Sequence, residues 1–143
     1  ILGHLDLMKK FGYRPTRALD RELGRLVERV ARAGVLVEIN TAGLHKPVGE
    51  IYPSCHILRL LCETGVHITF GSDAHAPDEV GRDFAQAEML ARSVGYQGFA
   101  VLEDTGAPAP VAVVDDAPPQ QAAGRGPAGR TRVRIVPFEG PAA

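Results

Sequence analysis

The feature that most narrows what this chain can fold into is a repeated order of segments. A short apolar run rich in β-branched residues closes on polar side chains, and a stretch with apolar residues at helical spacing follows it. Val35-Leu36-Val37-Glu38-Ile39-Asn40, Ile68-Thr69-Phe70 and Phe99-Ala100-Val101-Leu102 are the clearest runs. Ile1 to Leu7 reads as another. Pro15 and Thr16 signal a helix carrying Leu19, Leu23, Leu26, Val30 and Ala33 up to Gly34. Pro53 and Ser54 open a second, with Ile57, Leu58, Leu61 and Cys62 on one face and Gly65 at its end. Pro77 and Asp78 open a third, with Val80, Phe84, Ala87, Ala91 and Val94 on one face before Gly95. Strands alternating with helices predict βα units, a parallel sheet and the α/β class.

In sheets of that kind functional residues collect where the strands end. His4 and Asp6, Glu38 and Asn40, and Asp73 and His75 all fall at such ends. In an extended segment Asp73 and His75 point the same way, and a carboxylate beside an imidazole is the donor chemistry of half a metal site. The bland alternative stays open, because Asp, Asn and His at strand ends also cap the loops that follow. The loop from Met8 to Arg14 holds Lys9 and Lys10, and the loop from Thr41 to Tyr52 holds His45, Lys46 and Glu50. His56, in a helix's first turn, and His67, at the start of a strand, read as structural.

A length of 143 residues suits one domain with a core, and a net charge of -1 argues against a nucleic-acid partner. No apolar run approaches the roughly 20 residues that cross a bilayer, and no signal peptide is visible, so a cytoplasmic protein with no membrane partner is expected. Cys55 and Cys62 stand on one helix, roughly 10 Å apart and beyond the roughly 7 Å limit of a disulfide. Both are expected to be buried small hydrophobes. Three segments are predicted: a folded portion over 1–103, a flexible Pro/Ala/Gly-rich insertion over 104–130, and a terminal segment over 131–143. In that last segment Arg132-Val133-Arg134-Ile135-Val136 alternates as a half-exposed strand and is expected to pair back onto Phe99 to Leu102. The chain opens on residues that read as the middle of a strand, so it is expected to be a piece of a longer protein.

The segments G-H-L-D-L with K-K-F, V-E-I-N-T-A-G-L-H-K-P-V-G-E-I-Y-P-S, and G-S-D-A-H with V-G-R-D-F closely resemble the last half of the PHP-domain histidinol phosphatases. The resemblance runs from Ile1 to about Val101. It implies the C-terminal part of a distorted (β/α)7 barrel, a trinuclear cluster of divalent ions (Zn, Fe or Mn) at its rim, and hydrolysis of L-histidinol phosphate, a small phosphomonoester of histidine biosynthesis. By matching motifs it assigns His4, Asp73 and His75 as metal ligands, with Asp73 and His75 catalytic. Lys10, His45 and Lys46 correspond to phosphate contacts, and His45 replaces an arginine usual in the family. Asp6, Glu38 and Asn40 are expected to support these groups. The H-x-H motif and other ligands of the family have no counterpart in this chain, so the piece alone is expected to be inactive. A polymerase-associated nuclease of the same family and a non-catalytic scaffold are the competing readings.

Overall fold

The computed structural model describes residues 1–104 and 131–140. The predicted insertion at 104–130 lies outside the described residues except for Asp104, which ends a strand.

The architecture is mixed α/β. Strands β1 (Val37–Asn40) and β2 (Ile68–Gly71) form a parallel pair in the register Val37 to Ile68 and Asn40 to Gly71. Between them runs helix α2 (Cys55–Glu63), so this is one right-sized crossover unit. Helix α1 (Asp20–Ala33) precedes β1, and α3 (Phe84–Ser93) follows β2. Strands β3 (Gly98–Asp104) and β4 (Thr131–Pro137) form a separate antiparallel pair, with Phe99 opposite Val136 and Leu102 opposite Val133. The two pairs meet through side chains: Phe70 of β2 stacks on Phe99 at 5.0 Å and on Phe138 at 6.2 Å.

Two apolar clusters hold these elements. Ile39, Ile51, Leu58, Ile68, Ala87, Ala91 and Tyr96 pack between the parallel strands, α2 and α3. The buried Tyr96 hydroxyl donates to the Val66 carbonyl at 2.9 Å, and burial pushes its pKa up. Val27, Val30, Val37, Ile57, Leu61 and Val66 join α1 to α2, with Leu2 and Leu5 against them. On α2 the buried face is Ile57, Leu58 and Leu61, as its spacing predicts.

Several local expectations are corrected. Ile1 to Leu7 is not a strand: only Leu2 bridges Val37 in parallel fashion, His4 has a left-handed φ of 49°, and a 3-10 turn takes over at Leu7–Phe11. Helix α1 begins at Asp20 rather than at Pro15, and its buried side chains are Val27 and Val30, with Leu26 37% exposed. Pro77–Glu79 is a separate 3-10 turn, leaving Val80 exposed ahead of α3. Gly81 and Asp83 both take positive φ there, which breaks the helical path that the apolar spacing suggested. Cys55 is exposed instead of buried, while Cys62 is half-buried and both thiols are free. Among the described residues no helix is long and apolar enough to cross a membrane.

Candidate metal and phosphate site

The parallel ladder decides which strand ends meet. Leu2 N–H donates to Leu36 O at 2.7 Å and Glu38 N–H to Leu2 O at 3.0 Å, which sets the first residues alongside β1. With β2 on the other flank of β1, the His4 ring comes to lie between the carboxylates of Glu38 and Asp73. His4 Nδ1 lies 3.7 Å from Glu38 Oε2, and His4 Nε2 lies 3.7 Å from Asp73 Oδ2. The carboxylate of Glu38 rests over glycine backbone. A Cβ on Gly3 would stand 3.0 Å from Glu38 Oε2, and one on Gly71 would run into Glu38 Oε1. Glycine at both flanking positions therefore makes room for a charge that would otherwise have no place between strands.

Asn40 ties these groups together. Its Oδ1 accepts from Ala42 N–H at 3.0 Å, capping the 3-10 turn Thr41–His45, so its amide nitrogen faces the site. That nitrogen donates to Glu38 Oε2 at 3.0 Å and lies 3.3 Å from His4 Nε2. Nε2 of His4 thus faces both the Asn40 amide and the Asp73 carboxylate, while Nδ1 faces Glu38 at 3.7 Å, beyond hydrogen-bond length. At 33% and 38% side-chain exposure, His4 and Asp73 are open to a ligand from solvent.

The left-handed Asp73 (φ 51°) breaks the extended alternation on which a shared direction with His75 depended. His75 Nδ1 is instead 2.7 Å from the Asp73 carbonyl oxygen, and its backbone N–H donates to Glu79 Oε2 at 2.8 Å. That backbone donor is the main reason the Glu79 carboxyl lies below its ordinary range.

Of the expected supporting residues, Glu38 and Asn40 touch His4, whereas Asp6 turns to other partners. Its Oδ2 accepts from Ser54 N–H at 2.9 Å and pairs with Lys9 Nζ at 3.0 Å. Lys9 is 3% exposed; its ammonium also donates to Ile51 O at 2.8 Å, reaches Glu50 Oε2 at 3.3 Å, and lies over the Tyr52 ring. Sequence reading passed over Lys9, because nothing local separates it from Lys10. Burial, followed by the charges of Asp6 and Asp73, raises the pKa of the Tyr52 phenol.

Lys10 is half-buried with its ammonium over the Phe11 ring, and Lys46 is exposed. His45 Nε2 is 2.6 Å from Asp83 Oδ2, a partner that sequence reading also missed. His56, read as structural, pairs with Asp20 at 3.4 Å.

An imidazole flanked by two carboxylates suits a divalent ion of the Zn, Fe or Mn kind. His4 and Asp73 fit as two donors to it. Among the described residues, however, no group of three or more His, Cys, Asp or Glu side chains is arranged to hold an ion, so the donor set within them is partial.

No family model matches the chain. A probable histidinol-phosphatase of Deinococcus radiodurans is 44% identical over 97 residues, covering 66% of this chain and 35% of that protein. A probable histidinol-phosphatase of Schizosaccharomyces pombe is 24% identical over 110 residues, covering 72% of this chain and 36% of that protein. The chain thus spans about a third of the length of the curated relatives it matches.

Proposed function

We propose that this chain forms the rim-bearing part of a metal-dependent phosphomonoesterase that hydrolyses L-histidinol phosphate to L-histidinol and phosphate, built on a (β/α)7 barrel of the PHP type. The observation that carries the reading is the meeting of His4, Glu38 and Asp73 at neighbouring ends of a parallel ladder. The 44% identity to a protein named for that reaction supports the substrate.

Each residue then has a task. His4 and Asp73 are two donors to a divalent ion, and further donors complete the cluster in the whole protein. Such ions, when bound, neutralise phosphoryl oxygens and lower the pKa of a bound water, which a very slow hydrolysis requires. Glu38 and Asn40 stand beside the His4 ring, at 3.7 Å from Nδ1 and 3.3 Å from Nε2, and orient it beside Asp73. Asn40 locks the Glu38 carboxylate in place. Lys10, His45 and Lys46 offer cationic or hydrogen-bonding groups to the substrate phosphate from the loops around the rim.

Phosphate release from L-histidinol phosphate by the full-length protein tests this. Asp73→Asn should abolish release and lower the bound metal, and asparagine tolerates the left-handed backbone at that position. Unchanged activity together with unchanged metal content would remove Asp73 from the ligand set.

A further inference from the structure

The turn that carries Asp73 and His75 lies beyond the parallel ladder, which ends at Gly71, and Asp73 takes a left-handed φ of 51°. Such a turn has to be held by bonds of its own. His75 Nδ1 is 2.7 Å from the Asp73 carbonyl oxygen. A carbonyl only accepts, so Nδ1 carries a hydrogen and a neutral His75 keeps its lone pair on Nε2. The His75 backbone N–H donates to Glu79 Oε2 at 2.8 Å, and Gly81 N–H donates to the buried Ser72 Oγ at 3.2 Å. Glu79 closes the 3-10 turn Pro77–Glu79, and its other oxygen, Oε1, accepts from Arg82 Nη1 at 3.2 Å. Arg82 is tied down in turn. Its carbonyl accepts from the Thr41 hydroxyl at 2.7 Å, just past the end of β1.

We propose that Glu79 is the positioning residue of His75: its carboxylate, steadied by Arg82, holds the His75 backbone so that the imidazole stays on the Asp73 carbonyl and offers Nε2 to a divalent ion. This deepens the phosphatase reading and rests on it for His75 as a ligand. Both Glu79 oxygens are committed, one to the His75 N–H and one to Arg82, so Glu79 acts through His75 and is not itself a donor to the ion. Left-handed backbone at a residue other than glycine persists only where its surroundings over-determine it. Without the Glu79 bond, Asp73 and His75 are free to relax toward extended backbone. The exposed imidazole then turns to water, where either ring nitrogen can carry the hydrogen.

Two readouts test this: NMR of the His75 ring nitrogens and backbone amide in the metal-free chain, and the Zn affinity of the full-length protein in competition with a chelator. At about pH 8, where a histidine is mostly neutral, wild-type His75 should show a protonated Nδ1, an unprotonated Nε2 and a slowly exchanging amide. Glu79→Ala should speed that exchange, mix the two tautomers and weaken Zn binding about tenfold, the low end for groups that orient a metal ligand. Glu79→Gln keeps an oxygen for the His75 N–H and should retain the tautomer and most of the Zn affinity. A side chain that serves folding alone would lower the urea midpoint and leave the tautomer and the Zn affinity unchanged. That result for Glu79→Ala overturns the proposal. So does a Glu79→Gln variant that loses as much affinity as Glu79→Ala, because charge, and not the bond to His75, would then set it. The two readings fail separately. If the full-length protein hydrolyses histidinol phosphate while His75 and the Zn affinity ignore Glu79→Ala, the anchor is wrong and the phosphatase stands; a Glu79-dependent tautomer and Zn affinity without turnover reverses that outcome.

Discussion

Glu38 shows how one side chain organises a site that its own sequence neighbourhood hardly advertises. Within Val37-Glu38-Ile39-Asn40 it is a charge on a buried strand, normally costly unless paired. Asn40 and His4 are its partners, and the bare backbone of Gly3 and Gly71 gives it space. Gly71→Ala should therefore push the carboxylate away from His4 and cost about 1 kcal/mol, the low end for overpacking. In a Glu38→Ala background the same change should cost nothing, since the clash partner is gone. Urea unfolding of the two single variants and the double variant measures this coupling. An equal cost in both backgrounds would mean that Gly71 serves some other need.

The 3-10 turn Leu7–Phe11 and the residues after it are fastened by charge more than by apolar packing. Lys9 reaches Asp6, Glu50 and the Ile51 carbonyl, and Arg14 closes on Glu50 from outside. The Arg14 guanidinium, assisted by Lys9, holds the Glu50 carboxyl below its ordinary 4.5, with burial acting the other way. A carboxylate whose folded pKa is depressed adds stability above its unfolded pKa and loses it as pH falls through the folded value. Arg14→Ala should accordingly lower stability at neutral pH, and the gap to wild type should close as pH drops below the ordinary carboxylate range. Chemical denaturation at neutral and acid pH reads the gap; one that persists in acid would assign the effect of Arg14 to packing. The β3–β4 pair depends on different contacts. There Phe99 and Phe138 stack at 6.0 Å, and Arg92 lies over the Phe138 ring at 4.8 Å, joining α3 to the end of β4.

For the molecule as a whole, a partial donor set and uncovered apolar surface belong to the same picture. Leu102, Val133 and Ile135 are each nearly half exposed on the antiparallel pair, and Met8, Phe11 and Tyr13 more so near the first turn. The chain by itself should bind Zn or Mn weakly, take up an apolar dye, and release no phosphate from histidinol phosphate. Calorimetry, dye fluorescence and a phosphate assay check the three; tight uptake of several ions with turnover would show that its own donors suffice. Strands β1 to β3 and helix α2 with its buried face were legible in the sequence, since periodicity and caps are local signals. The start of α1 was not, because Pro15 and Thr16 carry a helix signal that the chain satisfies only from Asp20. The direction of His75, the partner of His45, the burial of Lys9 and the central place of Glu38 were decided by tertiary structure alone. Each depends on left-handed backbone or on groups between 34 and 69 residues apart coming together, as His4 does with Glu38 and Asp73, and Lys9 with Glu50 and Ile51. Residue type along a chain sets what a side chain can do; only the packed ladder settles which side chains do it together.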